Sequence, residues 1–309
     1  MNPSFVQLRD IGTTHEGRKL LGVKIGYPAN STNKRAVWLD GGNHAREWPA
    51  FHTALYIIDQ LITNYGIDDH ITNYVNKLNI YVFPILNPDG FEFSLTSNEA
   101  LIRHWRKNRA PKNCTGRLGD RGGICCMGVD LNRNYDFAFV NNVLPYDNPC
   151  SDEFQGPFPF SEPETRGVRN FILSPEIFYK LDALVSMHTH GQFFILPYNH
   201  KRQTYPPDIE DLRNLAEKVI NEILSVKGTK YKLGTAADLI GPATGGATDW
   251  IKKSTPTKYV YVIELPPQLS SWFAFQLKPH WLVPTAEETW QGIRVIIEQV
   301  IAEAQHKAN

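Results

Sequence analysis

The sequence predicts a single α/β domain spanning residues 1–309, with a mixed, mostly parallel twisted sheet sandwiched between helices. Three observations predict it. Short apolar runs alternate with helical periodicities, the runs are apolar on both faces, and no internal repeat or low-complexity tract divides the chain. The runs Ala36–Asp40, Leu78–Leu86, Leu181–His188, Phe193–Pro197 and Tyr259–Leu265 have strand length. Between them, Phe51, Ala54, Leu55, Ile58, Leu61, Ile62 and Tyr65 follow helical spacing and stop at Gly66. A second helix is expected from Asp208 to Lys227, with Leu212, Leu215, Val219 and Ile223 inward and Gly228 as its stop. A third is expected to begin at Thr285, with Glu288 completing a capping box and Trp290, Ile293, Ile297 and Val300 on one face. Residues 87–160 break this rhythm with Gly, Pro, Asn and Cys, which marks a functional or stapled stretch.

Bulk composition narrows the function classes. With 42% hydrophobic residues, 21% charged residues and zero formal net charge, nothing marks a disordered tail or a phosphate-reading surface, so no nucleic-acid partner is expected. No apolar run reaches the ~20 residues that span a bilayer, so no membrane partner is expected either. Residues 1–9 lack the basic and apolar regions of a signal peptide. The chain is therefore expected to be a mature domain from which an export signal, and any pro-segment, are absent.

The four cysteines, Cys114, Cys125, Cys126 and Cys150, lie in one stretch and allow three pairings. A bridge between the adjacent Cys125 and Cys126 would strain the peptide between them, so each should reach for Cys114 or Cys150. Together with the sequons at Asn30 and Asn113, these disulfides predict a secreted protein or one in the lumen of the secretory pathway.

In open α/β sheets ligands gather beyond the carboxyl ends of strands. Three expected strand ends here carry metal-type or acid–base residues: Ala36–Asp40 leads into His44 and Glu47, Leu181–Met187 ends on His188, and Tyr259–Ile263 ends on Glu264. Two imidazoles and two carboxylates are what a catalytic zinc and an adjacent base require. Singly the signals are weak. His44-x-x-Glu47 also suits a solvated helix start, Glu264 a structural ion pair, and His188 and His190 share a strand face, so periodicity does not choose between them. The segments Trp105–Arg109 and Asn132–Asn134 add fixed cations and an amide that can grip a carboxylate or an oxyanion.

Taken together, these segments resemble the zinc carboxypeptidase family, in particular its digestive A/B branch. The resemblance runs from Ile11-Gly12 and His15-Glu16-Gly17-Arg18 to Pro284–Trp290, through Gly42–Trp48, Asn87–Gly90, Trp105–Arg109, Gly128–Asn134, Gly245–Trp250 and Ile263–Leu265. It implies one zinc ion held by His44, Glu47 and His188, rather than His190; this two-histidine, one-glutamate set is the family's standard one. Asp130 would orient a ligand histidine from behind. Glu264 would be the general base and Arg109 would polarise the scissile carbonyl. Asn132 and Arg133 would hold the substrate's terminal carboxylate, with Arg46 and Phe275 in outer subsites and His190 among the substrate-binding residues. Disulfides Cys126–Cys150 and Cys114–Cys125 are implied as well. The partners would be peptide or protein C-termini, with a pro-segment or protein inhibitors besides, on a monomeric zymogen-derived protease.

Two departures from the family pattern concern the substrate pocket. A mobile Tyr usually covers the substrate carboxylate, and Gly241 stands at that position, so weaker binding with intact chemistry is expected. The pocket floor is Thr248, neither Asp nor apolar; with Ile195, Ala236 and Ile240 as walls it predicts preference for uncharged aromatic or aliphatic C-terminal residues. Asp238, Lys252 and Lys253 are near enough in sequence to bear on that preference. Competing readings are broader or charged-residue specificity, a peptide-binding relative with little activity, an iron oxygenase using two histidines and a carboxylate, and a cytosolic tail-trimming relative.

Overall fold

A computed structural model describes residues 2–115, 124–271 and 274–308. Its main sheet has eight strands: β1 (Val6–Thr13), β2 (Lys19–Ile25), β3 (Ala36–Asp40), β4 (Asn79–Phe83), β7 (Leu181–Gly191), β8 (Phe193–Leu196), β9 (Lys232–Thr235) and β10 (Tyr259–Gln268). Their order is β1-β2-β4-β3-β7-β10-β8-β9. The centre, β4-β3-β7-β10, is parallel, while β1, β2 and β8 join antiparallel to their inner neighbours. A separate two-stranded ladder pairs β5 (Asn113–Thr115) with β6 (Ile124–Cys126).

The central strands are Val/Ile/Leu-rich because helices cover both faces. One face packs on α1 (Trp48–Thr63), α2 (Asp69–Lys77), α5 (Ile209–Lys227) and α8 (Leu282–Ala308) through a core containing Leu39, Ile57, Val185, Val219, Ile263 and Ile297. The other face, with Trp38, Tyr81 and Leu184, packs on α4 (Pro163–Ile172) and α7 (Ala247–Ser254). The short α3 (Pro88–Thr96) and α6 (Ala236–Leu239) complete the set.

The expected strands all form, and Ala36–Asp40 has the bounds expected. In α1 the buried stripe is Ala50, Phe51, Ala54, Ile57 and Leu61, whereas Leu55 is 48% exposed, so the helix is rotated about one position from the expected face. Pro49 occupies the first turn, where its missing N–H costs no helical bond. Helix α5 buries the four expected residues and ends on Gly228 in the left-handed region, at φ 83°. The capping box expected at Thr285 does not form. Helix α8 already starts at Leu282, Thr285 lies inside it, and Glu288 accepts from Thr229 Oγ1 at 2.7 Å. Strands β1, β2 and β9, at one edge and the other, carried no clear apolar run because their outer faces are solvated.

Within residues 87–160, α3 and the β5–β6 ladder form, and the disulfide Cys126–Cys150 closes a separation of 24 residues. The bridge expected between Cys114 and Cys125 rests on side chains outside the described set; the two residues are backbone partners in the ladder.

Candidate metal centre and substrate cavity

Three parallel neighbours, β3, β7 and β10, bring the polar strand ends together. His188 and Glu264 are register partners on β7 and β10, and partners in a parallel pair project to the same face. From β3 the chain turns through Gly41–Ala45, where Ala45 N donates to Arg106 O at 3.0 Å, and delivers His44 and Glu47 at the head of α1.

His44, Glu47 and His188 meet with ligand atoms all within 4.8 Å of one another. Nδ1 of His44 is 2.7 Å from Glu47 Oε1, Nδ1 of His188 is 2.9 Å from Glu47 Oε2, and the two ring nitrogens are 3.1 Å apart. All three residues are buried, at 2%, 3% and 1% exposure. His44 Nε2 lies 3.0 Å from Asp130 Oδ1, where it donates, and this leaves the Nδ1 lone pair facing the centre. Nitrogen and oxygen donors so disposed fit a zinc ion. Burial would raise the Glu47 carboxyl, but the two imidazoles hold it well below the usual carboxylate range. His190 does not join this group; its ring meets that of Phe275 edge to face, with centroids 4.8 Å apart.

Asp130 is the hub behind the centre. Its Oδ1 also accepts from Asn132 N at 2.9 Å, and its Oδ2 accepts from Arg106 Nε at 2.9 Å. Burial works to raise this carboxyl, and the charges of Arg106 and His44 overcome it and keep it ionised. One buried carboxylate thus fixes a histidine, an arginine and the turn that carries Asn132 and Arg133.

The expectation for Arg109 is corrected here. Arg109 turns away from the centre, pairing through Nε with Glu16 Oε1 at 3.3 Å and stacking 3.7 Å over the Phe93 ring. Arg106 faces the centre instead: its Nη1 is 3.7 Å from Glu47 Oε1 and it lines the cavity beside Glu264. Both belong to Trp105–Arg109, and their separation of three gave no basis for choosing between them. Asn108 anchors the segment, its Nδ2 donating to Glu162 Oε2 at 2.7 Å and Glu164 Oε2 at 3.0 Å, and the carboxylates of Asp130 and Glu16 then hold Arg106 inward and Arg109 outward.

A cavity of about 510 Å³ opens beside the centre. Glu264 lines it, and burial together with the charge of Glu47 pushes its carboxyl up to about 7 against the pull of His188, Arg106 and Arg133. Asn132 and Arg133 stand on one wall. Asn132 Oδ1 accepts from Ala247 N at 2.9 Å, which turns its amide NH2 outward. Gly245 makes Arg133's position accessible: at φ 66° it lies on the arginine's backbone, where an added Cβ would come within 2.0 Å of Arg133 O. Thr248, Ile195, Ala236 and Ile240 line the cavity, joined by Val262. Asp238 is engaged with Thr235 and Tyr205, and Lys252 with Asp208, so neither charge lines it. At the mouth, Arg46 sits 4.2 Å over the Phe275 ring.

Gly241 also lines the cavity, with φ 146° and open space where a side chain would begin. An L-residue there is strained despite the room, so restoring a Tyr at this position would carry a backbone cost. A phenol reaches the same loop from elsewhere, since Tyr146 Oη donates to Pro242 O at 3.2 Å.

The zinc carboxypeptidase family model matches residues 1–292. Mouse carboxypeptidase A2 is 36% identical over 299 residues, which is 97% of this chain and 66% of that protein. Carboxypeptidase B of the crayfish Astacus astacus is 35% identical over 294 residues, covering 95% of this chain and 89% of that one. Among solved structures, bovine thrombin-activatable fibrinolysis inhibitor in complex with tick carboxypeptidase inhibitor superposes with a TM-score of 0.82 at 26% identity, covering 97% of this chain and 92% of that one.

Proposed function

The chain belongs to the zinc carboxypeptidase family, and from that premise we propose that it hydrolyses the last peptide bond of peptides and proteins, releasing uncharged aromatic or aliphatic C-terminal residues. The observation that carries this reading is the adjacency, in one cavity, of a His44–Glu47–His188 centre, the carboxyl of Glu264 and the cation of Arg133. An exopeptidase must hold a free chain end at a set distance from the bond it cuts, and Arg133 with the Asn132 amide provides that hold.

Zinc held by His44, Glu47 and His188 would polarise the scissile carbonyl and bring the pKa of a water toward about 7. Glu264 takes the proton of the attacking water and passes it to the leaving nitrogen. Arg106, kept charged by Asp130, donates to the oxyanion as the carbonyl becomes tetrahedral. Thr248, Ile195 and Val262 receive the terminal side chain, and the absence of a lining charge among them disfavours Lys, Arg, Asp and Glu. Relatives of A and B type stand almost level at 36% and 35% identity, so the preference is argued from these residues alone. The Cys126–Cys150 bridge favours an oxidising compartment. Protein inhibitors that present a chain end are expected partners of the same cavity.

A set of blocked peptides differing only in the last residue tests the reading. Phe, Tyr, Leu or Ile should be released fastest, in a chelator-sensitive reaction with one zinc per chain. Faster release of Lys or Glu refutes the preference, and cleavage of internal bonds at equal rate refutes exopeptidase action.

A further inference from the structure

The turn that follows Cys150 sets two consecutive carboxylates at the cavity, and each holds an arginine. Asp152 Oδ2 accepts from Arg46 Nη1 at 2.8 Å, and Glu153 Oε2 accepts from Arg133 Nη2 at 2.9 Å. Ser151 Oγ accepts from Glu153 N at 3.0 Å and fixes the turn, while the disulfide to Cys126 ties its base. The two side chains in the second pair differ in exposure: that of Arg133 is 13% exposed and that of Glu153 is 41% exposed. The arginine is therefore set in the wall and the glutamate reaches it from the solvent side.

The donors left on Arg133 decide what this pair does. Nη1 donates to the backbone oxygen of Asn132 at 2.9 Å, and Nε is buried with no partner among the described residues. A carboxylate grips a guanidinium bidentately through either Nε and Nη2 or Nη1 and Nη2. Both grips need Nη2, and Glu153 already takes one of its two N–H groups and sets a negative charge beside it.

We propose that Glu153 is a built-in competitor for the substrate's terminal carboxylate, pairing with the Arg133 nitrogen that the chain end must also use and swinging into solvent when a second carboxylate arrives there. The inference rests on the reading of Arg133 as the chain-end anchor. Glu153 then sets the affinity for substrate without touching the reacting bond. It opposes weak, non-specific carboxylates and leaves chemistry unchanged once a substrate is seated. After displacement its charge stays at the mouth, held near by the Ser151 turn.

The test uses the full-length, zinc-loaded protein and two probes: a blocked dipeptide ending in Phe, and 3-phenylpropanoate, a carboxylate with an aromatic tail and no bond to cut. Glu153→Gln keeps the size and removes the charge, at a half-exposed position where folding should be preserved. KM for the dipeptide and the inhibition constant of 3-phenylpropanoate should fall together by about two- to fivefold, the worth of a half-exposed ion pair, with kcat unchanged. Unchanged or raised constants overturn the competition, because Glu153 would then merely orient Arg133. Arg133→Gln separates the two layers of argument. If it raises KM while Glu153→Gln does nothing, the anchor stands and the competition falls; if it leaves both constants as they were, the anchor reading falls and the competition with it.

Discussion

Arg106 and Arg109 lie three positions apart in the same basic segment, yet of the two only Arg106 lines the cavity. The difference is a carboxylate: Arg106 is held by Asp130 in the interior, Arg109 by Glu16 near the surface. Replacing Arg106 by Gln should lower kcat by about 10²–10³, the usual cost of losing one oxyanion donor. Replacing Arg109 by Gln should leave kcat nearly unchanged. Steady-state kinetics with a Phe-ending substrate compare the two, and a large kcat loss for Arg109→Gln with none for Arg106→Gln would reverse the assignment. The same logic separates His188 from His190. Strand alternation allows both, and the neighbours decide: Glu47 receives His188, while Phe275 takes the ring of His190.

At the scale of an element, α7 shows how a helix start serves the cavity. Its first amide, Ala247 N, holds Asn132, Thr248 forms the floor, and Asp249 turns inward to accept from Asn199 N at 2.6 Å and Nδ2 at 2.9 Å. Burial pushes the Asp249 carboxyl up from 3.8 to about 7, against those two hydrogen bonds. A raised folded-state pKa means that the folded protein binds more protons than the unfolded chain between those values. Its contribution to stability is therefore full below about pH 4 and is lost as pH rises toward 7. Asp249→Asn, similar in shape and without the titration, should remove a slope of up to about 1.4 kcal/mol per pH unit from this window. Urea unfolding of the zinc-free protein at several pH values measures it. An identical pH profile in both proteins would mean that Asp249 stays ionised throughout.

On the scale of the whole molecule, the candidate metal centre joins elements distant in the chain: the β3–α1 turn, the end of β7 and, through Asp130, the segment after the disulfide-linked β6. An ion bound there ties these elements together in the folded state alone, so zinc should raise the thermal midpoint in proportion to RT ln(1 + [Zn]/Kd). Calorimetry with and without chelator should show a gain of several degrees, abolished in His188→Ala. A midpoint indifferent to zinc would mean that the three ligands do not bind the ion.

The chain sequence by itself determined the α/β class, the central strands, the inward faces of α5 and α8, the residues at three strand ends and, through the family resemblance, the three candidate metal ligands that the fold brings together. These are legible because apolar runs, helical spacing and strand-end polarity are local patterns that burial imposes directly on the chain. Only the tertiary structure decided the phase of α1, the true start of α8, the inward choice of Arg106 over Arg109 and the hold of Glu153 on Arg133. Each of those depends on a partner far away in sequence, such as Asp130 for Arg106. The direction of a charged side chain is set by which opposite charge the fold brings within about 3 Å, a distance that no local pattern records.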